Sequence, residues 1–553
     1  MKLIRLLLAE RRWAFAGVVF LSLLSALLSV GVIAFVNQHM LQSADDVSGL
    51  LLQFAALLGL LLITATGART ALHVLGHQFV YRLRCKLVKQ VLDTDIERLE
   101  VLNGSRIIAA LSTDIRNVTI AFVHLPEMVY GLALSLAALA YLAVLSLPLF
   151  AMTALWLGIL LLAGGYLIRR INHYIGYVRE NDDYLYGDYQ AIIEGRKELA
   201  LNRYRAQRLY EEEFERNAQA YRDHVTRADI YNGLAGNVAN TMVLGLIGII
   251  FYLALGLGWA EMSVAATYGL TILFLRTPLI GALAGMPALI AANVSLNKLE
   301  SLALTPYRAS FESVSPAFSG CRRISLQGIS YRYEHTGEQG FSVGPLDLTL
   351  ERGELIFLIG GNGSGKSTLA RLLTGLYRPQ AGKLRVDGAE VSADSWQAYR
   401  HLFSTVFTDF HLFQRLLTGE GQEVPVEQVD NWLQRLGMQH KVRHSDGRLS
   451  DTRFSQGQRK RLALLMMVLE QRDFLVLDEW AADQDPQFRR FFYRQLLPEL
   501  RIAGKSIVAI THDDHYFDGA DRILKMDGGQ LIELHGDERA RVSADAVRAI
   551  SIG

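Results

Sequence analysis

The run Gly360-Gly361-Asn362-Gly363-Ser364-Gly365-Lys366-Ser367-Thr368 has the spacing G-x-x-x-x-G-K-[ST]. Such a run handles phosphate. Its glycines let backbone N–H groups wrap phosphate oxygens, and the helix that follows turns a positive N-terminus toward them. Lys366 is expected at the β/γ-phosphates and Ser367 on Mg²⁺. ATP with Mg²⁺ is the ligand pair this chemistry predicts. Asp478 and Glu479 follow about 110 residues later, as the expected holder of the Mg²⁺ water shell and the group that polarises water for γ-phosphate hydrolysis. His512 is the third candidate, placed to contact the γ-phosphate and fix the water.

Each of these groups needs a rigid support. Three short apolar runs supply it: Ile356–Ile359, Phe474–Leu477 and Ser506–Ile510, each ending at one of the candidate segments. Apolar runs of this length suit strands of a buried parallel sheet, whose carboxyl ends face the ligand crevice. A helix from Thr368 to Gly375 is predicted after the first. Phe454-Ser455-Gln456-Gly457-Gln458 lies between the first and second supports and precedes an apolar helix. Ser455 and Gly457 would open that helix, either as a plain N-cap or as a second phosphate-binding terminus.

The remainder of the chain is different in kind. Of its 553 residues 51% are hydrophobic and 20% charged, and the formal net charge is +1. That balance excludes a generally basic nucleic-acid binder, so no nucleic-acid partner is expected. Two cysteines exclude a disulfide framework and a multi-Cys zinc site. The apolar residues concentrate before residue 300. Six runs there are long enough to span a membrane: Trp13–Val36, Leu50–Leu72, Phe122–Leu145, Leu147–Ile168, Val238–Leu257 and Val264–Ile290. The third and fourth nearly touch, so a tight hairpin is predicted at Ser146-Leu147-Pro148. Membrane lipid is therefore an expected partner.

Between the spans, Lys and Arg are confined to two long loops. Seven lie between spans two and three, from Arg82 to Arg116, and eleven between spans four and five, from Arg169 to Arg227. The short loops carry Asp45, Asp46 and Glu261 instead. This bias puts both termini and both long loops in the cytoplasm. The loops read as helices that continue beyond the bilayer and turn back near Asn103–Gly104 and Asn202–Arg203. The predicted organisation is a six-helix membrane domain over 1–303, a linker over 304–319 and an α/β domain over 320–553.

Six spans followed by one such domain resemble a half-transporter of the ATP-binding-cassette (ABC) family, of exporter topology. Within it, Glu194–Arg203, Gly344-Pro345-Leu346, Asp478–Pro486 and His512–Phe517 resemble the cyclic-peptide exporter subfamily, and the whole chain resembles its enterobacterial microcin-exporting type. The resemblance makes Ser455, Gln456, Gly457 and Gln458 the signature motif, with Phe454 and Gln456 in place of the usual Leu and first Gly. It makes Ala482–Pro486, with Asp485, the D-loop. It puts Tyr333 where the family stacks an aromatic on adenine, with Tyr331 or a purely structural tyrosine as the competing readings. Thr408 stands where a glutamine is expected; Thr reaches Mg²⁺ only through water, and Asp409 is the other candidate.

In the family, ATP lies between the P-loop of one subunit and the signature motif of the other. The resemblance therefore implies a homodimer, cytoplasmic loop tips that transmit cassette closure to the membrane helices, and a bacterial inner-membrane location. It also implies efflux of a lasso-peptide microcin, with an outer-membrane duct as a candidate partner. A lipid flippase or a multidrug or siderophore exporter shares the architecture; a soluble or DNA-linked ABC ATPase is excluded by the spans. No peptidase precedes the first span, so leader cleavage during export is not expected. Intramembrane polar residues mark the expected substrate pathway: Arg276, Glu127, Asn237 and Asn240. Arg276 lines a cavity or pairs with a carboxylate such as Glu127.

Overall fold

A computed structural model describes residues 2–40, 47–102, 104–311, 317–333 and 340–536. Asn103 of the first expected tip, the acidic pair Asp45 and Asp46, and residues 312–316 of the expected linker lie outside them. The chain folds as two compact units, Met1–Lys89 with Gly104–Leu304, and Gln90–Asn103 with Thr305–Gly553.

The helices before residue 304 are α1 (Lys2–Phe35), α2 (Val47–Asp93), α3 (Ile96–Leu102), α4 (Gly104–Ala109), α5 (Ile115–Leu145), α6 (Leu147–Glu194), α7 (Arg196–Leu201), α8 (Arg203–Arg208), α9 (Glu215–Phe251) and α10 (Met262–Ser301), of which α3 belongs to the second unit and the rest, but for the end of α2, to the first. Among the described residues, six stretches are long and apolar enough to cross a membrane: Arg12–His39, Gly49–Asp93, Arg106–Leu145, Leu147–Glu194, Arg203–Gly256 and Met262–Ser301. They are longer than the apolar runs in the sequence. The 45 residues of Gly49–Asp93 extend about 68 Å at 1.5 Å per residue, roughly twice a hydrocarbon core. A helix does not stop where its apolar face stops, because its backbone bonds are satisfied internally.

Two turns have clear local causes. Ser146 is extended between α5 and α6, and Pro148 sits in the first turn of α6, where its missing N–H costs nothing. The buried Tyr268 hydroxyl lies 2.6 Å from Leu142 O and 2.8 Å from Ser146 O, and can donate to one at a time. At the second tip Asn202 leaves helical geometry and its side chain accepts from Arg205 N at 3.1 Å, capping α8. Helices α5 and α10 pack at close range: a Cβ on Gly131 would come within 2.3 Å of Pro278 O, so only glycine fits there.

The second unit holds two main sheets. Strands β1 (Arg323–Arg332), β2 (Ser342–Glu351), β4 (Ala381–Val386) and β5 (Ala389–Glu390) form an antiparallel sheet in the order β2-β1-β4-β5. The central sheet runs β12-β11-β3-β10-β9-β6, with β3 (Leu355–Ile359), β6 (Phe403–Val406), β9 (Phe474–Asp478), β10 (Ser506–Ile510) and β11 (Arg522–Asp527) parallel and β12 (Gln530–Leu534) antiparallel at its edge. A small ribbon joins β7 (His444–Ser445) to β8 (Arg448–Leu449). The helices are α11 (Lys366–Leu373), α12 (Trp396–Arg400), α13 (Val426–Arg435), α14 (Gln456–Leu469), α15 (Pro486–Phe491) and α16 (Leu497–Ile502).

Strand alternation gives the central sheet two cores. Leu355, Phe357, Leu475, Leu477, Ile507 and Ala509 pack with Leu462 and Leu465 of α14. Ile356, Leu358, Phe474, Val476, Val508 and Ile510 pack with Leu369 and Leu372 of α11 and with the antiparallel sheet. Both faces are covered, which is why these strands are continuous apolar runs in the sequence. The observed architecture is an all-α domain with six helices long and apolar enough to cross a membrane among the described residues, followed by an α/β domain, as the sequence predicts.

Candidate nucleotide site

Strand β3 delivers the chain to Gly360, and α11 begins at Lys366. Gly360 has φ +148°, and a Cβ there would meet Met526 O at 2.3 Å, so the loop can close only with glycine. Lys366 is buried and donates to Gly360 O (2.8 Å) and Gly361 O (2.9 Å), which folds the ammonium back over the loop. Ser367 Oγ donates to Asp478 Oδ2 at 3.0 Å. A cleft of about 370 Å³ is lined by Phe341, Asn362, Gly363, Ser364, Gly365, Lys366, Ser367, Thr368 and Glu479.

Neighbouring strands β9 and β10 bring the acid and the imidazole together, with Asp478 paired to Ile510 in the ladder. Glu479 turns away from the strand with φ +49°, an uncommon geometry for a residue with a side chain. It is held on both sides: its N–H donates to Ile510 O at 3.1 Å, and Lys460 Nζ donates to its carbonyl at 2.7 Å. His512 Nε2 lies 3.3 Å from Glu479 Oε1.

Asp478 is buried, and burial pushes its carboxyl above the usual range against the opposing hydrogen bond from Ser367. Its Oδ1 has no hydrogen-bond partner among the described residues, nor does the buried Ser364 Oγ. Orphaned buried oxygens are costly in proteins. Here one carboxylate oxygen beside a serine hydroxyl fits the donor set of a hard divalent cation.

Tyr333 is half-buried, with its hydroxyl 3.0 Å from Thr368 Oγ1 on the P-loop helix. Tyr331 is buried and its hydroxyl donates to Glu97, so its ring face is not available to a base.

The signature residues lie elsewhere. Gln458 accepts from Ser455 N (3.4 Å) at the start of α14, and Gly457 O accepts from Gln484 Nε2 (3.0 Å). Asp485 caps α15 by accepting from Phe488 N (2.9 Å) and pairs with Arg461 at 2.6 Å. None of Ser455, Gln456, Gly457, Gln458 and Asp485 lines the cleft. Thr408 and Asp409 are exposed, and Asp409 stands 4.0 Å from Arg371.

In the membrane unit Arg276 and Glu127 are both exposed, and no ion pair joins them among the described residues. Glu127 Oε2 instead lies 3.7 Å from the point where a Cβ on Gly281 would sit. Asn237 and Asn240 lie on α9. Sequence reasoning gave no role to Phe341, Lys460 or Arg461. The two basic residues stood next to the signature motif; Phe341 carried no signal.

Residues 343–482 match the ABC transporter family profile. The ATP-binding protein SyrD of Pseudomonas syringae pv. syringae is 32% identical over 557 residues, covering 96% of each chain. The probable syringafactin export ATP-binding/permease protein SyfD of P. syringae pv. syringae is 29% identical over 38% of this chain and 33% of its own length. A solved bacterial Atm1-family ABC exporter with ATP bound superposes with a TM-score of 0.71 at 16% identity, covering 98% of each chain.

Proposed function

The chain belongs to the ABC transporter family, in which ATP hydrolysis is coupled to transport, and on that premise we propose that it is a homodimeric exporter of a peptide antibiotic of the lasso-peptide microcin class. The membrane is the bacterial inner membrane and the ATPase domain faces the cytoplasm, in keeping with the basic long loops. An outer-membrane duct would complete the route.

One observation carries the dimer. The P-loop and Glu479 line a cleft, with His512 3.3 Å from the Glu479 carboxylate, and no signature residue lines it. A second copy supplies the missing wall with its own Ser455-Gln456-Gly457-Gln458, which opens α14. ATP then bridges two cassettes, and its hydrolysis releases them. That difference in affinity between closed and open forms drives alternating access.

Within one cleft the roles follow from position. Lys366 exchanges its loop carbonyls for the β- and γ-phosphates. Ser367 and Asp478, the latter through water, would hold Mg²⁺, which supplies charge neutralisation at the phosphates. The Glu479 carboxylate accepts a proton from the water that attacks the γ-phosphate. His512, within reach of that carboxylate, fixes the water and the phosphate. Tyr333 offers its ring to adenine. Peptide rather than lipid is favoured by the resemblance of Glu194–Arg203 and His512–Phe517 to cyclic-peptide exporters, and by a relative named for syringafactin export.

ATPase stimulation of the full chain in lipid nanodiscs tests the substrate. A lasso peptide should raise turnover at micromolar concentration while a lipid A-type lipid and a siderophore leave it at the basal rate. Stimulation by the lipid or siderophore alone would replace the peptide reading.

A further inference from the structure

The short helix α3 follows α2 in the chain, yet it belongs to the same compact unit as the ATPase domain. Its approach is anchored by Asp95, 3.5 Å from Arg378 Nε and 3.3 Å from Arg400 Nη2. Two carboxylates on α3 then take hydrogen bonds from two buried phenols. Tyr331 donates to Glu97 at 2.8 Å, and Tyr377 donates to Glu100. Arg371 of the P-loop helix closes this arrangement, donating to the Tyr377 hydroxyl at 2.9 Å and lying 3.8 Å from Glu100. Burial, together with the neighbouring carboxylates, pushes both phenols well above their ordinary range, so they stay protonated and remain donors.

These two phenols form one block with Tyr333. Tyr331 and Tyr377 have ring centroids 5.0 Å apart, and Tyr333 packs edge-on against them at 5.1 and 6.2 Å. Such contacts fix ring orientation as well as burying area. The third ring ends on the nucleotide site, with its hydroxyl 3.0 Å from Thr368. A continuous path therefore runs from Glu97 and Glu100, through three tyrosines and Arg371, to the helix that receives the phosphates. Among the described residues the loop at Thr408 reaches this arrangement only through Asp409, an exposed carboxylate 4.0 Å from the partly buried Arg371.

We propose that Glu97 and Glu100 are positioning residues for Tyr333, so that the seating of α3 on the cassette sets how tightly that cassette holds adenine. Nucleotide arrival must release Tyr333 from Thr368, which shifts the block that the two carboxylates hold. By linkage, the same coupling makes bound nucleotide alter the grip on α3. This rests on Tyr333 as the adenine-facing residue.

The test uses the full-length chain in nanodiscs, with steady-state ATPase kinetics and binding of a fluorescent ATP analogue. Glu100→Gln and Tyr377→Phe should each raise the KM for ATP roughly fivefold with kcat within about twofold, and should reduce discrimination between ATP and GTP. Glu97→Gln with Tyr331→Phe should behave alike. Within each pair the double variant should be no worse than the single ones, since both remove one interaction. Multiplying effects, or an unchanged KM in the glutamine variants while Tyr333→Leu raises it, overturn the proposal and leave the adenine reading intact. An unchanged KM in Tyr333→Leu overturns both.

Discussion

His512 Nε2 stands 3.3 Å from Glu479 Oε1, at the ends of two adjacent parallel strands. Glu479 is held through its backbone, in a left-handed turn fixed by Ile510 O and by the Lys460 side chain, and His512 lies two residues beyond β10. Glu479→Gln keeps the size of the side chain and removes its basicity. ATP hydrolysis should fall by about 10²-fold or more while ATP binding persists and a closed dimer accumulates on size-exclusion chromatography. Near-wild-type turnover would remove Glu479 from the role assigned to it.

Ser367 and Thr408 should differ sharply. Ser367 touches the buried Asp478, whereas Thr408 is exposed and makes no hydrogen bond to the P-loop among the described residues. Ser367→Ala should lower Mg²⁺-dependent ATPase activity about tenfold or more, through loss of a metal ligand and of the Asp478 contact. Thr408→Ala should change it by less than about threefold. Titrating Mg²⁺ at fixed ATP separates the two, because only Ser367→Ala should shift the metal dependence. Equal losses would give Thr408 direct contact with the metal.

What was legible in the sequence follows from range. The P-loop, the Asp478–Glu479 pair and His512 each lie within a few residues of a short apolar run, and strand geometry alone brings the runs to one sheet edge. The six spans are legible because lipid demands long unbroken apolar helices. Span ends were not, since α2 and α6 continue as helices through polar sequence. Nor could Tyr331 be told from Tyr333: two residues apart in an extended run, they are expected on one face. Only the contact to Glu97, 234 positions away, separates them. Glu97 and Glu100 look like solvated charges on a short helix until the tyrosines that meet them are in view.

The two cysteines should label very differently. Cys85 is exposed, whereas Cys321 is buried and its thiol is pushed up to about 11, chiefly by burial and then by the nearby Asp387. At pH 7.5 almost none of Cys321 is thiolate, the form that reacts. Maleimide treatment of the folded chain followed by peptide mass mapping should find Cys85 modified and Cys321 free, and Cys85→Ser should abolish labelling. Raising the pH through 9 should increase Cys321 labelling only slightly, because the group is also shielded. Prompt modification of Cys321 at pH 7.5 would mean that the segment leading into β1 opens readily.

Arg276 is the remaining test of the membrane domain. It lies within α10, two residues before Pro278, exposed and with no ion pair among the described residues. A guanidinium at that depth is stable only beside water or an anion. Glu127 does not neutralise it in the same chain, so the cation is left for a water-filled pathway or its passenger. Arg276→Ala should therefore weaken peptide stimulation of ATPase activity about fivefold or more, an effect of the size expected for one lost charge contact. Basal turnover and dimer assembly should be unchanged. Arg276→Lys should recover part of the stimulation if charge is what matters, and little if the planar fork of Arg grips a carboxylate. Loss of assembly in Arg276→Ala would instead make Arg276 a structural contact between subunits.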